Sequence, residues 1–281
     1  SIDIFSCDNA LIENNYIHHT AGNLRGIWTS CSNSKVENNV LKNLAGTGIF
    51  ISGGIHTEVI NNEIQDSNGI HGNGISAYQS SNGVLIANNK VINSNIGLTI
   101  EGSGGGITRD VYIYNNIFDG KENTEGLFRS WGNLAGNIEM LNNLFLNSIG
   151  NKAIIFDSDD STNARLIVKN NVIDGGWIAN TGDDETGYNI YTGLIWSQDL
   201  RYGWSLQEGE IREENLNNIF VNVANGDYHL KSGSPAIDTG IDATADLSDA
   251  MALFSDYDFN KDISGKTRPS GAGWDIGPYE Y

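Results

Sequence analysis

The side chains of this chain best spaced for chemistry are a carboxylate pair and a small cationic group. Glu101 and Asp157 end the motifs GLTIE and AIIFD, which recur two repeats apart. If the repeats stack as parallel strands, the two backbones lie about 10 Å apart. Their carboxyls could then reach the ~5–9.5 Å separation used in glycoside hydrolysis, where one protonates the leaving oxygen and the other attacks or activates water. Asp159 and Asp160 could replace Asp157 in either role. His71, in the corner IHGNGIS, with Arg25 and Arg129, suits a different reaction. A base there would remove the C5 proton of a uronic acid while a cation, arginine or calcium, neutralises the adjacent carboxylate. Each group also has a plainer reading, since surface carboxylates solvate and a histidine among glycines serves turns.

A second motif surrounds these residues: GIWTS at Gly26, GIFIS at Gly48, GISAY at Gly74, GLTIE at Gly97, GLFRS at Gly126, AIIFD at Ala153 and GLIWS at Gly193. Its alternation is that of a strand, with successive side chains on opposite faces. If Ile27, Ile49, Ile75, Leu98, Leu127 and Ile154 point inward, then Trp28, Phe50, Ser76, Thr99, Phe128 and Ile155 point outward. The next outward row is Ser30, Ser52, Tyr78, Glu101, Ser130, Asp157 and Ser197. Trp28, Phe50, Tyr78 and Phe128, with Arg25 at one end, would line a trough for an extended polymer such as a polysaccharide, unless a loop covers them.

The elements that must hold this face are set by an Asn-Asn pair that recurs eight times, from Asn14-Asn15 to Asn217-Asn218. The first six intervals are 24, 23, 27, 27, 27 and 28 residues and the last is 47, close to two turns. A period in this range marks a solenoid whose repeats bury their apolar faces against one another. Short β-branched runs such as Val36 and Val40 flank each pair, and asparagine tolerates the left-handed backbone of a recurring bend. Stacked amides can also bond along the axis as asparagine ladders. Two or three short strands per turn predict an all-β, right-handed parallel β-helix, roughly 40 Å long for eight or nine turns. The expected division is a solenoid over residues 1–222 and an irregular C-terminal segment over 223–281, packing on the helix end. The long interval from Asn171 to Asn217 holds Trp177, Tyr188, Tyr191, Trp196, Tyr202 and Trp204, rings that could stack on sugars or form a side core.

Composition narrows the partners. A formal charge of −19 argues against nucleic acid, which requires a basic face. No stretch approaches the length of an apolar membrane span. The chain opens on Ser1 in what reads as a turn already in progress, so a capping segment or a partner chain is expected over the first turn. Cys7 and Cys31 each stand seven residues before an Asn-Asn pair, which places them on adjacent turns within disulfide reach. A bridge and a stacked thiol pair are both compatible with that spacing. Asp256, Asp258, Asn260 and Asp262 alternate like the first half of a calcium loop, although Lys261 and Thr267 replace its glycine and glutamate. A charged loop is the plainer reading there, and calcium is the candidate cofactor. The acidic runs 157–160 and 183–185 are weaker candidates.

The stretch NIFVNVANGDYHLKSGSPAIDTG, from Asn218 to Gly240, and the closing KTRPSGAGWDIGPYEY resemble the tail of secreted bacterial right-handed parallel β-helix repeat proteins. With the repeats, the resemblance covers nearly the whole chain. It implies an extracellular or cell-surface location and association with polysaccharide binding or cleavage. It fixes no reaction, because this scaffold carries lyases, hydrolases, epimerases and non-catalytic surface modules.

Overall fold

A computed structural model describes residues 1–22, 24–102, 104–121, 126–147, 152–156, 163–179, 184–192 and 206–281. Each repeat contributes three short strands, and strands of successive repeats pair in parallel. The first row stacks Ile2–Asp8, the start of Ile27–Glu37, Ile49–Ser52, Asn73–Tyr78, Ile96–Gly102, Gly126–Gly132, Lys152–Phe156 and Gly176–Ala179. A second row continues from the end of Ile27–Glu37 through Ile55–Ile60, Asn82–Ala87, Thr108–Tyr114, Leu134–Leu141 and Asn163–Lys169 to Asp184–Gly187. The third row runs from Tyr16–His18 to Ile211–Arg212. The protein is a parallel β-helix.

Register explains the core. Val36, Val59, Ile86, Ile113, Met140 and Val168 stand opposite one another along the second row. Leu41, Ile64, Val91, Phe118, Phe145 and Ile173 do the same along the third. All are buried in one continuous core. Each such side chain contributes roughly 1.5–3 kcal/mol by leaving water, and each turn gains only if its neighbour is in register.

The bend between the second and third rows falls on the asparagines. The first member of each pair, from Asn14 to Asn170, has φ between 55 and 57°. The second faces inward, and its amide Nδ2 donates to Oδ1 of the next: Asn15 to Asn39, then Asn62, Asn89, Asn116, Asn143, Asn171 and Asn189, at 2.9–3.1 Å. Past Asn171 the repeat continues without an Asn-Asn pair. Tyr188 (φ 55°) and Asn189 form the next bend, and Gly209 (φ 68°) and Glu210 the one after. Glu210 Oε1 there accepts from Asn189 Nδ2 at 3.3 Å, Tyr191 Oη at 3.0 Å and Thr186 Oγ1 at 2.7 Å. The pair Asn217-Asn218 is not a bend of the solenoid; it lies in the short helix Leu216–Ile219.

Cys7 and Cys31 are bridged, with Cα atoms 4.7 Å apart. The C-terminal segment packs along the flank of the solenoid. Ala243, Leu247, Ala250, Phe254, Phe259 and Trp274 cover outward residues of the second row, including Leu85, Tyr112 and Ile167. Ile219, Phe220, Tyr228, Leu230 and Ile276 cover those of the third. A buried Arg268–Glu280 ion pair, with Arg268 Nη2 donating to Asn115 Oδ1 at 3.0 Å, ties the end of the chain to a bend of the solenoid.

Candidate functional site

Among the described residues, the tail packs on the second and third rows and not on the outward face of the first. Strand pairing sets Trp28 opposite Phe50, Phe50 opposite Ser76, Ser76 opposite Thr99, and Thr99 opposite Arg129. Two residues further along, Ser52, Tyr78, Glu101 and Trp131 form the neighbouring line. Turns can stack this closely because the corners entering the row are glycines: a Cβ at Gly48 would lie 2.5 Å from the Gly74 carbonyl oxygen.

The rings form a continuous file. Phe5 meets Trp28 at 4.7 Å between centroids, Trp28 meets Phe50 at 5.8 Å, Phe50 meets Tyr78 at 5.1 Å, and Tyr78 meets Trp131 at 6.3 Å. The Arg25 guanidinium sits 4.2 Å from the Trp28 centroid and 4.1 Å from that of Phe50; Arg129 lies 5.2 Å from Trp131. Such cation–π contacts hold a guanidinium plane in place.

Two adjoining hollows share His71, Asn73 and Tyr78. The larger, about 550 Å³, is also lined by Ile70, Asn95, Ile96, Arg129 and Trp131. The smaller, about 360 Å³, adds Arg25, Thr47, Phe50, Gln79 and Glu101. His71 is presented at φ 58° by a tight loop, in which Gly72 N–H donates to the Gly69 carbonyl at 2.8 Å. Asn95 Nδ2 holds that same carbonyl at 2.7 Å, and Thr47 Oγ1 donates to the His71 carbonyl at 2.7 Å. Asn73, which lines both hollows, joins a buried hydroxyl pair: Ser76 Oγ and Thr99 Oγ1 are 2.7 Å apart, and Asn73 Nδ2 reaches both at 3.3 Å.

Charge and burial tune these groups. Burial pushes the Tyr78 hydroxyl up to about 12; Glu101 adds to the rise, while a hydrogen bond with Thr99 and the charge of Arg129 oppose it. Tyr78 therefore stays protonated at neutral pH. Burial lowers the Arg25 pKa, and nearby Asp3 acts in the opposite sense.

Of the residues singled out in the sequence, Arg25, Phe50, His71, Tyr78, Glu101 and Arg129 line the cleft, and Trp28 joins its ring file. Phe128 does not belong there. It is fully buried and stacks on Phe156 at 6.4 Å in the core. Gly126 pairs with Ile96 rather than Gly97, so the strand is offset by one residue and its faces exchange. The same offset turns Ser130 inward and brings Arg129 and Trp131 out. Trp131, Asn95 and Ile70 are cleft residues that sequence reasoning missed. Counting the register from Ile96 instead of the glycine would have found Trp131.

Asp157, Asp159 and Asp160 lie outside the described residues, as do Asp183, Trp196, Tyr202 and Trp204. Tyr191 is a core residue and Tyr188 occupies a bend. Asp256, Asp258 and Asn260 are exposed, and Asp262 is buried. Asp262 Oδ1 accepts from the backbone N–H of Ser264 and Lys266, at 2.8 and 2.7 Å, and Oδ2 from that of Glu280 at 2.9 Å. It organises the tail. Among the described residues, no group of three or more His, Cys, Asp or Glu is gathered to hold a metal.

Comparison with known proteins agrees with this architecture. Residues 1–71 match the family model described as "Right handed beta helix region". No curated protein sequence matches the chain. Among solved structures it is similar to pectate lyase Pel9A, with a TM-score of 0.53 and 17% identity over 94% of this chain and 69% of that one. It is also similar to XylC, solved in complex with xylose, with a TM-score of 0.53 and 11% identity over 97% of this chain and 59% of that one. At these identities the likeness is one of fold: a right-handed parallel β-helix. No helix among the described residues is long and apolar enough to cross a membrane.

Proposed function

We propose that this protein binds an anionic polysaccharide along the outward face of the first strand row and cleaves it by β-elimination. The observation that carries this reading is the ring file Trp28–Phe50–Tyr78–Trp131, flanked by Arg25 and Arg129, running past His71 in one cleft. Trp28, Tyr78 and Trp131 are the partly exposed rings of this file and suit contact with successive sugars, Phe50 supports them from a buried position, and the guanidinium groups beside them suit carboxylates. Among the described residues lining the cleft, Glu101 is the carboxylate. His71 with Arg129 beside it in the same hollow supplies the base and the cation that elimination requires, and this pairing favours elimination.

In this scheme Arg129 binds the uronate carboxylate and stabilises the charge that develops when the C5 proton leaves. His71 takes that proton. Tyr78, held protonated by its burial, gives its proton to the departing O4 as the C4–O4 bond breaks and the C4–C5 double bond forms. Glu101, beside Tyr78, helps keep that phenol neutral. The likeness to a pectate lyase and to a protein solved with xylose supports a saccharide ligand without defining it. An extracellular or cell-surface site of action is part of the proposal, supported by the Cys7–Cys31 bridge, since disulfides persist in oxidising compartments.

The test is incubation with a panel of neutral and uronic polysaccharides, with and without calcium, following unsaturated-product absorbance and reducing ends together. Absorbance rising on uronic polymers alone is the expected result. Reducing ends without absorbance would replace elimination by hydrolysis. Binding without either signal would make the protein a non-catalytic surface module.

A further inference from the structure

Away from the cleft, the flank covered by the tail holds an unusual group. Glu139 is 1% exposed, and no donor meets either of its carboxylate oxygens with hydrogen-bond geometry; the nearby Asn137 side chain acts on it but gives its bond to Asp249. It stands in the outward line Leu85, Tyr112, Glu139, Ile167 of the second row. The tail helix Ser248–Leu253 and its flanks lie over this line, with Leu247, Ala250 and Phe254 packed against Leu85, Tyr112 and Ile167.

The charged groups around Glu139 offer it little. Arg165 acts on it from the strand row and Asp246 and Asp249 from the tail, with Lys169, Glu185 and Asp110 bonded to these groups or their neighbours. Arg165 is engaged by Glu185, and Lys169 Nζ by Asp246 at 3.0 Å and Glu185 at 3.3 Å. Asn137 ties the others together: its backbone N–H donates to Asp110 Oδ1 at 3.1 Å and its Nδ2 to Asp249 Oδ2 at 3.3 Å. Burial first, then Asp246 and Asp249, push the Glu139 carboxyl up to about 8, with Arg165 and Asn137 opposing in part. A neutral carboxylic acid is tolerated in such an apolar seam. An unpaired carboxylate is not.

We propose that the segment from Ala243 to Phe259 is a pH-sensitive strap, docked on the second strand row while Glu139 is protonated and loosened when Glu139 ionises. Release is local. The rest of the tail stays held by the Arg268–Glu280 pair and by Asn142 Nδ2 donating to the Asp275 carbonyl at 3.0 Å. Docking raises the carboxyl above its ordinary value of 4.5, so docking takes up a proton. Its Glu139-linked contribution is complete below that value, weakens as pH rises, and is lost above about 8.

The experiment is hydrogen exchange of residues 243–259 in the full chain, expressed as protection factors across a pH series. One proton per docking event predicts a fall of roughly tenfold per pH unit between about pH 6 and 8, then a plateau. Glu139→Gln should abolish that slope while retaining protection. Asp249→Asn, which keeps Glu139 but removes a repelling charge, should bring the plateau in at lower pH. A slope unchanged in both variants, or a wild-type profile with no slope, would overturn the strap. A variant that fails to fold leaves the other to decide.

Discussion

Replacing Asn116 by alanine tests how the solenoid keeps its turns in register. Asn116 is fully buried, and its Oδ1 accepts from Asn89 twice, from the backbone N–H at 2.9 Å and from Nδ2 at 3.0 Å. Its own Nδ2 donates to the Ile86 carbonyl at 2.7 Å and to Asn143 Oδ1 at 3.0 Å. Asn143 Oδ1 would keep its bond from the Asn116 backbone N–H at 2.9 Å, but the Asn89 backbone N–H and one Nδ2 hydrogen would lose theirs in the core, Nδ2 keeping only its bond to the Val59 carbonyl at 2.8 Å. Each buried donor left unpaired costs about 1–3 kcal/mol, so the substitution should cost roughly 2–6 kcal/mol. Asn15→Ala is the control. Asn15 is half-exposed at the first turn, and Asn39 Oδ1 retains the Asn15 backbone N–H at 3.0 Å, so the cost should stay below about 1 kcal/mol. Urea unfolding of both variants with equal slopes gives the comparison directly. Equal losses at the two positions, or a loss under about 1 kcal/mol at Asn116, would refute the reasoning that orphaned core donors set the cost.

Other consequences follow from the one-residue offset and from the loop over the cleft. Phe128→Ala should cost about 3–5 kcal/mol by opening a cavity in the core, whereas Trp131→Ala should leave unfolding nearly unchanged and weaken saccharide binding; calorimetry of both variants checks the assignment of faces. Gly69→Ala should displace the loop that presents His71, because a Cβ there would lie 1.7 Å from the Ala45 carbonyl oxygen, and cleavage should fall with little change in secondary structure by circular dichroism. Tyr78→Phe should reduce cleavage at every pH from mildly acidic to mildly alkaline, since a hydroxyl held near 12 is a proton donor throughout that range; a loss confined to one limb of the pH–rate profile would assign the proton to another group.

The bends were legible because one residue type performs one backbone task. Every first asparagine through Asn170 takes the left-handed conformation that its spacing implied. Where another residue does the same work the pattern is hidden, as at Tyr188-Asn189 and Gly209-Glu210, and Asn217-Asn218 imitates it in a helix. The cleft was legible as far as the strand alternation stayed in phase. Arg25, Trp28, Phe50, His71, Tyr78 and Glu101 precede the offset, while Phe128 and Trp131 exchange faces after it. A motif beginning on glycine does not reveal whether that glycine is the first or second residue of the pairing. Nor could local sequence show that the acidic tail folds back over the second row, since those contacts join residues such as Tyr114 and Phe259, whose hydroxyl-to-carbonyl bond is 2.7 Å.

The most direct measurement is the mass of the oligosaccharides released from a uronic acid polymer by the wild-type protein and by His71→Ala. Elimination predicts wild-type products lacking the elements of one water relative to hydrolytic ones, in amounts that fall by a factor of roughly a hundred or more when His71 is removed. Fully hydrated products, or unsaturated products formed equally well without His71, would contradict the account.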